Sequence, residues 1–124
     1  MSRPIKCRKV CCLPQHNEFC PLGTVTNLEN TVIMTVDEYE SIRLIDHEGF
    51  TQEKCSEYMK IARTTVQEIY GNARKKLSIA LVDAKALKIV GGEYELCDGK
   101  ENDCQCGGCQ KHKKRLNNLN NFKL

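Results

Sequence analysis

The stretch TQEKCSEYMKIARTTVQEIYGNARKKL, residues 51–77, decides the fold. Its first part places apolar side chains at i, i+3 and i+4, which predicts one face of a short helix that Thr51 caps. The residues KIA at 60–62 interrupt this pattern. A second helix follows, with an apolar stripe at spacings of 3, 4, 7 and 11 residues, made by Val66, Ile69, Tyr70, Ala73 and Leu77. Two helices joined by so short a break are typical of a helix-turn-helix.

Another helix is predicted directly before this stretch. Thr35 and Glu38 have the spacing of a capping box, and Gly49 stands where a helix C-terminus favours glycine. The β-branched run TVIM at 31–34 predicts a short strand. The segment LKIVGGEYEL at 87–96 predicts a hairpin, because its two adjacent glycines tolerate positive φ.

These patterns predict a mainly α fold. Its centre is a three-helix core with a helix-turn-helix and a short β-hairpin, between cysteine-rich irregular ends. The expected boundaries are an irregular N-terminal segment at 1–31, which contains prolines, the helix-turn-helix domain with its hairpin at 32–96, and a cysteine-rich segment with a basic tail at 97–124.

Charge is distributed unevenly along the chain. The net charge is only +3, but residues 32–59 carry −5 and residues 60–88 carry +5. A basic excess centred on one helix suits an anionic partner. The alternative is a solvated helix that pairs with its acidic neighbour, and charge alone leaves both interpretations open.

A helix-turn-helix places its last helix in the DNA major groove, where residues near the helix N-terminus reach base edges and later cations meet phosphates. Glutamine and arginine can contact adenine and guanine in a bidentate manner, and threonine can contact a polar edge or the thymine methyl. The base-reading candidates are Arg63, Thr64, Thr65, Gln67 and Glu68, and the phosphate-contacting candidates are Arg74, Lys75 and Lys76. The predicted partner is double-stranded DNA.

The segment from residue 49 to residue 77 resembles region four of the bacterial sigma factors. Over residues 3–92 the chain is similar to a family of uncharacterised prokaryotic DNA-binding proteins, known as domain of unknown function 134. The resembling segments are RPIKCRKVCCLP, MTVDEYESIRLIDHEGFTQEKCSEYM, ARTTVQEIYGNARKKLSIALV and KALKIVGG. The resemblance implies a sigma-like helix-turn-helix and a role in transcription, without a known ligand or target.

Two positions depart from the common helix-turn-helix pattern. Lys60 stands where a glycine often makes the left-handed turn between the helices, which costs backbone energy in a non-glycine residue. Ala62 stands where a serine usually caps the second helix, a loss of about 1 kcal/mol. Both weaken the helix, and leave the predicted motif in place.

Nine cysteines in 124 residues point to metal ligation or redox chemistry if the protein is cytoplasmic, as we expect in the absence of a signal sequence or membrane span. Four thiolates within thirteen residues can surround one tetrahedral metal, and they suit zinc, Cu(I) or an iron–sulfur cluster. These candidate ligands are Cys97, Cys104, Cys106 and Cys109. The alternative is a disordered tail that happens to carry cysteines.

A second, more loosely spaced set near the N-terminus could form its own site or share ligands with the first: Cys7, Cys11, Cys12 and Cys20. Cys55 lies on the apolar face of its helix, so we expect it in the core. A metal or redox site attached to a DNA reader suggests a sensor whose occupancy or oxidation alters DNA affinity.

The favoured function is therefore a DNA-binding transcriptional regulator, possessing a metal- or redox-responsive cysteine site. The alternative is a metal-binding or protein-interaction module that uses the helix-turn-helix only as a scaffold. The sequence has no nucleophile–base pair, phosphate loop or carboxylate constellation that indicates an enzyme. A homodimer is expected, because a lone helix-turn-helix buries little surface, and the long third helix and the hairpin are the candidate interfaces.

Overall fold

The computed structural model describes residues 8–23 and 28–97. Its strands are β1 (Arg8–Val10), β2 (Glu18–Phe19), β3 (Thr31–Met34), β4 (Ala86–Ile89) and β5 (Tyr94–Leu96). Its α-helices are α1 (Val36–Ile42), α2 (Gln52–Met59) and α3 (Arg63–Val82), with a 3₁₀ turn at Leu28–Asn30 and a π-helical turn at Arg43–His47. The prediction of a mainly α fold is confirmed, and its strands form two small sheets. In the described part of the chain, no helix is both long and apolar enough to cross a membrane.

Helix α1 begins at the predicted capping box. The Thr35 hydroxyl accepts from the Glu38 N–H, and the Glu38 carboxylate accepts from the Thr35 N–H at 2.9 Å. The helix continues into the π-helical turn, where the Glu48 N–H donates to the Arg43 carbonyl at 2.9 Å. Gly49 follows with φ of +83°, the left-handed conformation that glycine adopts at a helix C-terminus.

The connection between α2 and α3 is as short as predicted. Thr51 caps α2 through a bond from the Lys54 N–H at 3.0 Å. Lys60 has φ of 60° and ψ of 44°, so a lysine adopts the left-handed turn that glycine favours. Ala62 occupies the N-cap of α3 without a side-chain hydrogen bond. Both expected departures are therefore visible in the backbone.

The predicted hairpin at 87–96 does not form. Its two runs are strands β4 and β5, but they belong to different sheets. Strand β4 lies between β2 and β3, antiparallel to β2 and parallel to β3, while β5 pairs in parallel with β1. Strand β3 pairs with β4 over all four of its residues.

The two glycines between β4 and β5 dock on the start of α1 instead of closing a hairpin. The Val36 N–H has no partner within its own helix, because it lies in the first turn, and it donates to the Gly91 carbonyl at 2.9 Å. Gly92 has φ of +99°, and a Cβ there would lie 2.7 Å from the Thr35 Cβ. Positive φ was predicted correctly, but its use is close approach to a helix.

The N-terminal segment, which was predicted to be irregular, contains two short strands within its described residues. Residues 8–10 pair with β5, and residues 18 and 19 pair with β4. Val10 and Cys11 are 0% and 2% exposed. These strands were missed because they are only two or three residues long and pair with distant residues, such as Arg8 with Tyr94 and Phe19 with Leu87.

The core consists of two clusters of buried side chains. The first lies between the α1 end, α2 and the beginning of α3, and its buried members are Cys11, Leu44, Phe50, Cys55, Tyr58, Met59, Val66 and Ile69. The second joins the sheets to the rest of α3, and its buried members are Val10, Met34, Val36, Ala73, Ala80, Leu87 and Ile89. Helix α3 contributes to both clusters, so its orientation is fixed along its length.

Candidate functional site

Helix α3 has one buried and one exposed side near its N-terminus. Val66, Ile69 and Ala73 are 0–6% exposed and face the core. The predicted contact residues on the opposite side are exposed, and they are Arg63, Thr64, Gln67, Glu68, Arg74 and Lys75. We call this set the α3 outer face. It groups six of the eight predicted contact residues on one solvent-facing surface.

Helix α2 packs against the buried side of the start of α3. Cys55, Met59 and Val66 are completely buried in the first cluster, as predicted for Cys55. Ser56 is also buried, and its hydroxyl donates to the Glu53 carbonyl at 2.7 Å, so it needs no partner outside its own helix. Burial raises the pKa of the Cys55 thiol to about 12, which keeps it neutral and consistent with a core residue.

Thr65 differs from the other base-reading candidates because it is half-buried. At about 100° per residue, it lies roughly 160° around the helix axis from Gln67. Thr65 and Gln67 therefore do not share a face, although both are near the helix N-terminus. Thr65 lies at the flank of α3.

Lys76 also differs from its predicted role. Its ammonium donates to the Glu38 carboxylate at 2.7 Å, and the side chains are 32% and 8% exposed. The same carboxylate caps α1 through Thr35, so Lys76 ties α3 to the beginning of α1. The sequence shows both residues, but their separation of 38 positions hides the pairing.

The acidic segment before α2 is largely neutralised inside the fold. Glu40 is fully buried, and its two oxygens accept from the Arg43 guanidinium at 2.7 and 2.9 Å. It also accepts from the Cys11 N–H at 2.9 Å. Burial alone would lower the pKa of Arg43, but the hydrogen bond and charge of Glu40 raise it overall. Asp37 is likewise buried, and it binds Arg8 at 2.7 Å.

This burial changes the electrostatics that the sequence suggested. Three of the acidic side chains of α1 have their charge matched within the fold, so they oppose the cations of the outer face less than the sequence count of −5 implies. These buried acids are residues that sequence reasoning missed. The i, i+3 spacing of Glu40 and Arg43 was the one local signal that could have revealed a pair.

Within the acidic segment, Asp46 does face a cation of the outer face. The Tyr70 hydroxyl donates to Asp46 at 2.7 Å, and the Arg74 guanidinium lies 3.8 Å from the same carboxylate. Desolvation and this hydrogen bond raise the pKa of Tyr70. Arg74 and Asp46 are 64% and 40% exposed, so their long contact is weak and leaves Arg74 able to exchange partners.

The candidate metal ligands fall partly within the described residues. Cys11 is buried, Cys12 is half-buried, and their sulfur atoms lie 3.6 Å apart. Cys20 is exposed. Cys97 is buried, and its N–H donates to the Val10 carbonyl at 2.8 Å, so the β1–β5 pairing brings the backbone of the two cysteine segments together.

The remaining candidate ligands lie outside the described residues: Cys7, Cys104, Cys106 and Cys109. Within residues 8–23 and 28–97, no three histidine, cysteine or acidic side chains come together in a way that could hold a metal ion.

Comparisons with known proteins give one consistent result. The model of the family described as protein of unknown function DUF134 matches residues 1–97. A UPF0251 protein of Desulfitobacterium hafniense strain Y51 is 60% identical over 94% of this chain and 92% of its own. Another of Thermoanaerobacter pseudethanolicus is 45% identical over 79% and 83%, respectively, and one of Clostridium botulinum is 45% identical over 85% and 68%. No solved structure gives a significant match.

Proposed function

The chain belongs to the DUF134 family, whose curated relatives carry the UPF0251 name, and we propose that it is a DNA-binding regulator of transcription. In this proposal α2, the turn at 60–62 and α3 form a helix-turn-helix, and the α3 outer face enters the major groove. One observation carries the proposal: the start of α3 buries Val66 and Ile69 against α2 while it leaves Arg63, Thr64 and Gln67 in solvent.

The chemistry of the outer face matches what a major groove presents. Arg63 and Gln67 are four residues apart, about 40° around the axis and about 6 Å along it, so both can reach adjacent base pairs. Arginine suits guanine and glutamine suits adenine, each by paired hydrogen bonds. Glu68 suits a cytosine amino group and would disfavour other contacts, which adds selectivity.

In this proposal the cations further along α3, after the base-reading residues at its start, contact the phosphates. Lys75 lies eight residues from Gln67, about 80° around the axis and about 12 Å along it, where a groove wall would be met. Arg74 can leave its 3.8 Å contact with Asp46 for a phosphate, because the existing pair is exposed and weak. Lys76 is assigned to the fold, since its ammonium holds the buried Glu38.

The cysteines give this proposal a second part. The proposal is supported by the bond from the Cys97 N–H to the Val10 carbonyl, because it joins the backbone of the C-terminal cysteine segment to the residue before Cys11. A shared site for zinc or an iron–sulfur cluster would therefore join β1 to β5, and Cys11 lies in the same core cluster as α2. Metal binding or oxidation there would change the packing under α3 and so its DNA affinity.

A salt titration of DNA binding tests the first part. The full chain, kept reduced, is titrated against a labelled duplex by fluorescence anisotropy at several salt concentrations. We expect affinity to fall steeply with salt, and Lys75→Ala to lower the slope by about 0.9. Lys88→Ala is the matched control, because Lys88 is a cation of β4 opposite Glu18 and should leave the slope unchanged.

The outcomes separate the two function classes. Binding that does not respond to salt, together with tight uptake of metal, would favour the scaffold alternative over DNA recognition. The same titration with and without zinc, and under reducing and oxidising conditions, tests the sensor. Equal DNA affinity in all of these conditions would leave the cysteines with a structural role only.

A further inference from the structure

The far end of α3 borders an apolar surface that the proposed DNA contact does not use. An open groove of about 580 Å³ lies between the end of α3, β4 and the residues after β2. We call it the α3–β4 groove. Its apolar walls include Phe19, Met34, Ile42, Leu77, Leu81 and Leu87.

Several large apolar side chains at the groove are unusually exposed. Of the groove residues, Leu81 is 79% exposed, Phe19 is 53% exposed and Leu77 is 41% exposed; Val82, which follows Leu81 but does not line the groove, is 79% exposed. Leu22, beside the groove residue Pro21, is 101% exposed. A contiguous set of this kind marks an interaction surface more often than single exposed residues do.

We propose that the α3–β4 groove is the interface of a homodimer, in which Leu81 of each copy inserts into the groove of the other. The composition of the groove favours a protein surface over a specific small ligand. Small-molecule sites place several convergent polar groups around an apolar lining. Among the described residues that line this groove, Lys85 alone is charged.

The available area supports a second copy as the occupant. At roughly 100 Å² for each large apolar side chain that becomes fully buried, the three exposed groove residues supply roughly 170 Å² per partner, and covering the neighbouring Val82 and Leu22 would add roughly 180 Å². A stable interface covers about 800 Å² per partner, with an apolar centre inside a polar rim. The groove can thus form the centre of such an interface, and the remaining rim of roughly 450 Å² is about a twentieth of the accessible surface of 8694 Å².

The position of the groove on α3 also suits a DNA-binding dimer, and this step alone rests on the proposed function. The base-reading residues of the two copies must be about 34 Å apart to meet successive major grooves, so each set lies about 17 Å from the two-fold axis. Along α3, Gln67 is about 15 Å from Leu77 and about 21 Å from Leu81. An axis at the groove therefore gives the required spacing with only a modest tilt of the helix.

The dimer contact leaves the outer face open. Leu77 and Leu81 are about 80° and about 40° around the axis from Gln67, so the groove and the start of α3 are separated mainly along the helix, by about 15–21 Å. One rigid helix then carries both functions, and dimerisation sets the distance between the two DNA contacts.

Sedimentation of the reduced full chain at 1–100 µM tests this interface. We expect wild type to sediment at twice the chain mass of 14.1 kDa. Leu81→Glu and Phe19→Glu should weaken dimerisation at least tenfold, because each puts a charge into the apolar centre. Ile33→Glu is the matched control, since Ile33 is 43% exposed but alternates with Met34 and so faces away from the groove.

Circular dichroism of each variant verifies that it is folded. A wild type that is monomeric at 100 µM, or a dimer that both groove variants leave intact, would overturn the proposal. A monomeric wild type that binds one molecule of an apolar dye, lost in Leu81→Glu, would assign the groove to a small ligand instead. Dimerisation without salt-dependent DNA binding would refute only the proposed function, and DNA binding by a monomer would refute only this interface.

Discussion

Two adjacent lysines on α3 should have different effects when each is changed to alanine: Lys76→Ala should lower stability, and Lys75→Ala should lower DNA affinity. Lys76 lies 2.7 Å from Glu38, whose side chain is only 8% exposed. Its removal leaves that buried carboxylate with the Thr35 N–H as its remaining partner in the capping box. A hydrogen bond to a charged group contributes about 1.5–3 kcal/mol, so Lys76→Ala should lower the unfolding free energy by about that amount.

Lys75 is exposed on the same turn of the helix. Its removal should change stability by less than about 0.5 kcal/mol, as is usual for an isolated surface position. Its effect should instead appear in DNA binding. One phosphate contact contributes about 0.9 to the slope of log affinity against log salt, which is about eightfold in affinity between 1 M and 0.1 M salt.

Thermal unfolding and anisotropy titration on a generic duplex measure the two effects on the same samples. For a chain of this size, Lys76→Ala should lower Tm by roughly 6–12 °C, and Lys75→Ala should lower the salt slope without a change in Tm. A double-mutant cycle with Glu38→Gln should give a coupling energy of about 1 kcal/mol or more for Lys76. If Lys76→Ala lost DNA affinity at an unchanged Tm, the assignment of the two lysines would be wrong.

Further changes test the helix junction, the buried acid and the buried thiol. Lys60→Gly should stabilise the protein by roughly 0.5–1 kcal/mol, because glycine adopts the left-handed backbone without strain. Ala62→Ser should stabilise it by about 1 kcal/mol, because serine caps α3. A lower unfolding free energy in denaturant would contradict either prediction. Glu40→Ala should cost roughly 3–5 kcal/mol, because it removes the carboxylate that neutralises Arg43 inside the fold, and a loss below about 1 kcal/mol in urea unfolding would show that this pair is dispensable. Cys55 should resist alkylation at pH 8 until the protein unfolds. Since its folded pKa of about 12 exceeds the ordinary 9.0, its contribution to stability is present below pH 9 and is lost as the pH rises toward 12, and rapid labelling of the folded protein would refute its burial.

Local signals in the sequence were sufficient for the helices. The capping box at Thr35 and the burial of Cys55 follow from residue types within one or two turns, and the structure confirms them. The left-handed turn at Lys60 followed from the common helix-turn-helix pattern, since lysine itself disfavours it. Leu77 is the exception on the predicted stripe, because it is 41% exposed. The stripe moves to Ala80 where α3 leaves α2 and packs on the sheets.

Strand pairs and ion pairs between distant residues could not be predicted from local sequence patterns. The parallel pairing of β1 with β5 joins residues 86 positions apart, and no local pattern marks it. The glycines at 91 and 92 predicted a turn correctly but not its partner, since a hairpin and a helix docking both require positive φ. The buried acids of α1 were missed for the same reason, as two of their partners, Arg8 and Lys76, come from distant segments.

Selection of duplexes from a random-sequence library, followed by methylation of guanine N7, tests most directly whether the α3 outer face reads the major groove. We predict that one motif is enriched, that N7 methylation within it blocks binding, and that Arg63→Ala relaxes the choice of base at one position. Lys88→Ala should select the wild-type motif. Enrichment of no motif, or binding that is indifferent to N7 methylation and to Arg63→Ala, would contradict the account.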